Sequence, residues 1–151
     1  MKPSILSFAF ICCAALLLAA PREASPQSQT FKGLQFTVSA VDRTTEKVNL
    51  TDCPPGSNTV NGVLRSGEEF MVVKVDFKVL PAFKPVPIKR PTVTDEAGTI
   101  YNTAVSFVDV GKVPEFSCNF PFRVPAGTKL RKFQIETMSV DLSKLPSPTT
   151  P

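Results

Sequence analysis

The segment from Glu69 to Leu80 has an apolar side chain at every second position from Met71 to Val79, and no other feature constrains the fold of this chain as strongly. Successive side chains of a β-strand point to opposite faces, so a period of two predicts one buried and one exposed face. β-branched residues favour a strand over a helix here. Apolar bulk on the second face, at Phe70, Val72 and Leu80, predicts a central strand partly covered on both sides. The first face consists of Met71, Val73, Val75, Phe77 and Val79.

The same period predicts further strands on either side. A further strand is predicted at 105–110, and weaker candidates lie at 47–51 and 59–64. Pro121 falls on the polar face of a late candidate and predicts an edge position or imperfect pairing there, because proline lacks the N–H that a ladder needs. The apolar faces of the two clear candidates consist of Leu34, Phe36, Val38 and Ala40 in one and Phe116, Cys118, Phe120, Phe122 and Val124 in the other.

Turn-forming residues separate these strands. Four prolines between residues 81 and 91 exclude a central strand until Thr92. The tetrad Asp95–Gly98 then predicts a hairpin, with glycine supplying a positive φ. In the segment 130–142 the buried set changes parity between Ile135 and Met138, which predicts a β-bulge near residues 136–138.

Short strands at regular spacing, without a helical segment of ten residues, indicate an all-β protein, and we expect an immunoglobulin-like β-sandwich of about seven antiparallel strands. The predicted organisation is a signal peptide at 1–20, a flexible linker at 21–30, the sandwich at 31–142 and a disordered tail at 143–151. The linker and the tail follow from their Pro- and Ser-rich, aperiodic composition.

The N-terminal signal peptide consists of one basic residue, Lys2, and an apolar run from Ile5 to Ala20. The run is shorter than the ~20 residues that a membrane-spanning helix needs, so we expect cleavage and a secreted or periplasmic protein. An uncleaved segment that anchors the chain in the membrane is the alternative, because Leu18 departs from the small-residue pattern at a cleavage site. Cys12 and Cys13 lack the preceding residues of a lipoprotein signal.

After removal of this segment, Cys53 and Cys118 are the remaining cysteines. In an oxidising compartment a single pair most simply forms one disulfide. Two buried thiols remain the alternative. A nucleophilic role has less support, because the chain contains no histidine to act as a neighbouring base.

The residue inventory favours a non-enzyme without cofactor or metal. Histidine is absent, two distant cysteines do not build a zinc site, and no Gly-x-Ser-x-Gly motif is present. Glu68 and Glu69 are adjacent on a strand, so their carboxylates point to opposite faces. Asp95 and Glu96 would need further oxygen ligands to hold calcium, so a plain turn, which Asp and Gly explain on their own, is favoured.

The net charge of +4 is modest, and no nucleic-acid partner is expected. Basic residues nevertheless occur in two groups, which could bind an anionic partner if the fold brings them together. Solvated strand faces are the favoured interpretation, since acidic residues are interspersed and blocks of a single sign are absent. The groups are Lys84, Lys89 and Arg90 in the Pro-rich segment, and Arg123, Lys129, Arg131 and Lys132 around the last predicted turn.

Three sequence stretches together carry a family resemblance. They are 67–75 (GEEFMVVKV), 94–101 with Thr94, Asp95, Gly98 and Tyr101, and 120–127 (FPFRVPAG) followed by Leu130 and Phe133. This pattern resembles a bacterial family of exported immunoglobulin-like domains of unknown function, which is grouped structurally with a secreted mycobacterial immunogenic antigen. The resemblance implies a fold and an exported setting, and it brings no active site.

These observations favour an exported, non-catalytic binding module whose partner is another envelope or extracellular protein. A structural accessory domain of the cell envelope without a discrete ligand is the first alternative, and a small hydrolase with an unrecognised site is the second. An exposed apolar surface would favour the binding module. A deep pocket with converging polar groups would favour the hydrolase.

Overall fold

The computed structural model describes residues 27–48, 53, 63–107 and 110–145. These residues form eight strands and one 3-10 turn at Leu142–Lys144. The predicted signal peptide lies outside the described residues. The strands are β1 (Ser28–Phe31), β2 (Leu34–Thr44), β3 (Glu68–Val79), β4 (Thr92–Asp95), β5 (Ile100–Asn102), β6 (Glu115–Pro125), β7 (Leu130–Ile135) and β8 (Met138–Asp141).

The strands form two four-stranded antiparallel sheets, which pack face to face as a β-sandwich. The first sheet has the order β1-β2-β3-β6 and the second the order β5-β4-β7-β8. The sheets approach each other at both margins: β1 lies beside β8, and Thr103, which follows β5, forms a bridge with Phe122 of β6. Covered margins leave few unpaired backbone groups for edge-to-edge association.

The alternating faces predicted for β2, β3 and β6 supply the core of the first sheet, except at Ala40. The register of β2 shifts between Val38 and Ala40, so Ala40 lies opposite Lys74 and Val41 is buried in its place. Phe36, Phe77, Phe120 and Phe122 are buried, and Phe133 of β7 meets them from the second sheet with its ring centroid 5.9 Å from that of Phe120. Because the chain contains no tryptophan, these phenylalanines provide the aromatic mass of the core. The central position predicted for β3 is confirmed by its pairing with both β2 and β6.

The predicted hairpin at residues 92–102 is confirmed. Strands β4 and β5 pair through Val93 and Tyr101, and Gly98 in the connecting turn has a φ of +88°. The Pro-rich segment before β4 contains no strand, as its prolines predict.

The bulge predicted near residues 136–138 is wrong. The chain reverses there through Glu136 and Thr137, and β7 and β8 pair across this two-residue turn, with Ile135 opposite Met138. Glu136 has a φ of +51°, a conformation that non-glycine residues rarely adopt. A two-residue turn and a bulge both change the parity of a strand pattern, which is why the sequence pattern did not separate them.

Three boundaries also differ from expectation. β1 begins at Ser28, inside the predicted linker, because residues 28–31 pair with β2 and satisfy its backbone groups. Ser143 and Lys144, assigned to the tail, lie in the 3-10 turn, where the Asp141 side chain accepts from the Ser143 N–H. Strands were also expected at 47–51, 59–64 and 105–110. Residues 47–48, 63–64 and 105–107, which the structure describes, lie outside the eight strands, although Val105 is buried in the core.

The Pro-rich segment crosses one end of the sandwich from the first sheet to the second. Near its start, the Leu80 N–H donates to the Gly33 carbonyl oxygen at 2.9 Å, in the turn between β1 and β2. Near its finish, the Lys89 N–H donates to Oε1 of Glu136 at 2.7 Å, in the turn between β7 and β8. The segment therefore closes the end of the sandwich at which these two turns lie.

Within the described part of the chain, no helix has the length and apolar content to cross a membrane.

Candidate functional site

A groove of about 790 Å³ lies on the outer face of the first sheet, beside β3 and β6. Its floor contains Phe70 and Pro121, and Val63 and Leu64 form an apolar wall. One side consists of residues 45–48, which follow β2, and the other of residues 102–104, which follow β5. A volume of this size is in the range of ligand-binding clefts.

The floor of the groove follows from the strand register. Phe70 pairs with Arg123, and Val72 with Pro121, so these four side chains share the outer face of β3 and β6. Val72 and Pro121 are buried. The edge position predicted from Pro121 is confirmed, since β6 is the last strand of its sheet. Pro121 was expected on a polar face of its strand. This expectation is wrong, because Pro121 is buried at the floor of the groove.

Charged side chains border the groove. Arg123 donates to the Val63 carbonyl oxygen at 3.3 Å, and its Nε lies 3.5 Å from Oε2 of Glu68. The same Glu68 oxygen accepts from the Arg65 N–H at 2.8 Å. Arg123 and Glu68 therefore hold the backbone of residues 63–65 against the outer face of β6. Glu46 and Lys47 are exposed on the opposite side.

The apolar wall is open to water. Val63 is 83% exposed, more than any other large hydrophobic side chain among the described residues. Ile100, at 64%, is the second exposed side chain of this kind and does not line the groove. An apolar surface with a charged rim is typical of sites that bind proteins or other ligands.

Asp95 is the last residue of β4, where the hairpin turn to β5 begins, and it is buried. Its Oδ1 accepts from the Thr99 N–H at 2.7 Å and its Oδ2 from the Tyr101 hydroxyl at 3.0 Å. Burial alone would raise the pKa of this carboxyl, but the hydrogen bonds from Thr99 and Tyr101 outweigh it and lower the pKa below 3.8. Burial, followed by the contact with Asp95, raises the pKa of Tyr101 above 10.0. Both carboxylate oxygens of Asp95 thus serve to hold the turn.

No group of three or more cysteine, aspartate or glutamate side chains within the described ranges is placed to hold a metal ion.

Cys53 and Cys118 form a disulfide, as the cysteine count predicts, with their Cα atoms 4.3 Å apart. Both residues belong to the buried core. The bond joins β6 to the chain between β2 and β3. Disulfides persist mainly in oxidising compartments, so this bond agrees with a location outside the cytoplasm.

The two basic groups lie at different places in the fold. Lys84, Lys89 and Arg90 lie in the segment that closes one end of the sandwich. Arg123 borders the groove, Lys129 lies in the turn before β7 near the other end, and Arg131 and Lys132 lie in β7. Because β7 separates Lys129 from the turn that contacts Lys89, the structure does not bring the two groups together as one surface.

Comparison with known proteins identifies no family for the chain. No family model matches it, and no curated protein matches it. Among solved structures, an uncharacterized β-sandwich protein from Clostridium difficile 630 is similar, with a TM-score of 0.47 and 9% sequence identity. The similarity covers 75% of this chain and 86% of that chain. The two-sheet architecture of the present protein is established by its own strand pairing.

Proposed function

We propose that this chain is an exported, non-catalytic binding module with an immunoglobulin-like fold, and that the groove beside β3 and β6 binds an apolar segment of another envelope or extracellular protein. The observation that supports this proposal most directly is the exposed Val63 in the wall of a groove whose floor is already apolar. A partner that covers Val63 would remove this surface from water, which is favourable by about 1.5 to 3 kcal/mol for one fully buried aliphatic side chain.

The chemistry of the lining favours binding over catalysis. Among the described residues, the ionisable groups that line the groove are Glu46, Lys47 and Arg123, and Arg123 is paired with Glu68. A general acid or base acts through a neighbouring group that positions it. Within this lining, Arg123 is engaged by Glu68 at the edge of the groove, an arrangement that suits the rim of a binding site. The exported setting is supported by the disulfide and by the apolar N-terminal segment of the sequence.

The proposal is tested by crosslinking from two matched positions in the native cell envelope. A photoreactive side chain replaces Val63 in one variant and Ile100 in the other. Both positions are strongly exposed, so neither change should disturb folding, but only Val63 lines the groove. We expect one reproducible adduct from position 63 and none from position 100.

A further variant, Phe70→Asp, places a charge on the floor of the groove and should abolish the adduct from position 63. Equal adducts from positions 63 and 100 would contradict the groove as the binding site. If no adduct formed from position 63, the alternative function, a structural accessory domain of the cell envelope without a discrete ligand, would be favoured instead.

A further inference from the structure

Four exposed cations lie in the Pro-rich segment or in the turn between β1 and β2 on which it rests, at the end of the sandwich that the segment closes. Lys32 and Lys84 lie together at a shallow depression of about 470 Å³ that also contains Gly33, Ala82 and Val86. Lys89 and Arg90 follow in the same segment, where the Lys89 N–H contacts Glu136. We call this surface, formed by Lys32, Lys84, Lys89 and Arg90, the basic end. It joins one predicted basic group to a lysine that is distant in sequence.

The positive charge of the basic end is not neutralised by ion pairs. None of its four cations forms an ion pair with a described residue. Glu136 is the carboxylate that contacts the segment, and its Oε1 accepts from a backbone N–H. At the groove, by contrast, Arg123 is paired with Glu68, and nearby Arg43 is paired with Glu69. Unpaired charges of one sign attract an anionic surface most strongly when they lie close together.

The basic end also presents small apolar groups. Ala82, Pro85 and Pro87 are exposed between the cations, and Val86 is half-buried. Proline fixes φ, so the backbone that carries Lys84 and Lys89 loses little conformational freedom on binding. The segment is also fixed from below, since Gly33 lies directly against the backbone of Phe83.

We propose that the basic end docks on the surface of an anionic lipid bilayer. Three of its four cations are lysines, which act as point charges and need no planar partner. The depression is shallow, which suits a layer of headgroups, and the prolines and Ala82 can lie among them. Each lysine or arginine near such a surface contributes about 1 kcal/mol, or about fivefold in the partition coefficient.

Docking of this kind does not depend on the groove. Val79 lies nine positions after Phe70 in β3, a distance of about 30 Å at the rise of an extended strand. The basic end lies beyond Val79, so the protein could contact a membrane and hold a partner in the groove at the same time. Loss of one interaction should leave the other intact.

The test measures sedimentation of the full chain with vesicles of phosphatidylcholine alone or mixed with phosphatidylglycerol. Three proteins are compared: wild type, a basic-end variant (K32Q/K84Q/K89Q/R90Q) and a control variant (R65Q/K129Q/R131Q/K132Q). The two variants lose the same charge. All three proteins share the apolar N-terminal segment, so its contribution to vesicle binding is the same in each and does not affect the comparison. Thermal unfolding confirms that each protein is folded.

We expect the wild type and the control variant to prefer phosphatidylglycerol vesicles, with binding that weakens as salt is added. The basic-end variant should lose this preference, by a factor on the order of several hundred if the four contributions add. Equal losses in both variants would overturn the proposal, since net charge alone would explain them. No preference by the wild type would overturn it as well. Basic-end-dependent binding to polyglutamate but not to vesicles would assign the surface to acidic polypeptides and also overturn it.

Discussion

Gly33 lies so close to Phe83 that a Cβ atom at position 33 would fall 2.6 Å from the Phe83 backbone nitrogen. The Pro-rich segment therefore rests directly on the turn between β1 and β2. Gly33 also has a φ of +84°, where other residues are strained. Glycine at this position thus serves both the turn and the close approach of the segment that carries the basic end.

We expect Gly33→Ala to destabilise the protein by more than the ~1 to 2 kcal/mol that a positive φ alone costs. The backbone of Phe83 must shift, because no flexible side chain is available to move instead. Urea unfolding at neutral pH measures the change in the free energy of unfolding.

Gly98→Ala is the matched control. Gly98 has a similar φ of +88°, but a Cβ atom there would meet nothing within 4 Å. It should therefore show the conformational cost without the clash. Equal destabilisation by the two variants would contradict the contact between Gly33 and Phe83.

Asp95→Asn should destabilise the protein at neutral pH and flatten the acid limb of its stability curve. The pKa of Asp95 is lowered in the folded state, so its ionised form contributes stability above its ordinary value of 3.8. This contribution is lost as the pH falls through the folded-state pKa. Urea unfolding at neutral and acid pH should show a difference between wild type and variant that shrinks as the pH falls. Glu96→Gln changes the exposed neighbouring carboxylate and should leave the curve close to that of the wild type.

Tyr101 offers a direct optical test of the same turn, because it is the one tyrosine in a chain without tryptophan. Burial, and then the contact with Asp95, raise its pKa above 10.0. Tyrosinate absorbance in the folded protein should therefore appear at higher pH than in the urea-unfolded chain. In Asp95→Asn the midpoint should move down, since one cause of the shift is removed. A midpoint that Asp95→Asn leaves unchanged would contradict the hydrogen bond.

The long strands β3 and β6 were predictable because apolar residues recur at every second position along each of them. Met71, Val73, Val75 and Phe77 face the core, while Lys74 and Asp76 between them face outward, so the pattern and the packing agree over this segment. The turn at Gly98 was predictable for a similar reason, since glycine there removes a steric restriction.

The turn at Glu136 was not predictable in this way. Glu136 is not a residue typical of positive φ, and its conformation depends on pairing between Phe133 and Val140 on either side of it. Tertiary pairing, which no local pattern contains, decides in favour of a hairpin.

The groove could be predicted only in part. Phe70 and Val72 were recognisable as apolar side chains on the outer face of β3. That Val63 and Leu64 return to lie beside them depends on contacts such as that between Arg123 and the Val63 carbonyl, which join residues far apart in sequence. The separation of the two basic groups likewise follows from topology, since sequence spacing does not place the Pro-rich segment at the end away from Lys129.

Reduction of the Cys53–Cys118 disulfide should lower the free energy of unfolding by about 2 to 5 kcal/mol, the usual cost for a small secreted domain. The bond closes a long loop, with a sequence separation of 65 residues, and so restricts the unfolded chain. Urea unfolding with and without reductant measures the difference, and thiol titration verifies that reduction is complete. The double variant C53A/C118A, which lacks the bond, should be less stable than the oxidised wild type and should not respond to reductant. A fully reduced wild-type protein with an unchanged midpoint would show that the bond contributes nothing to stability.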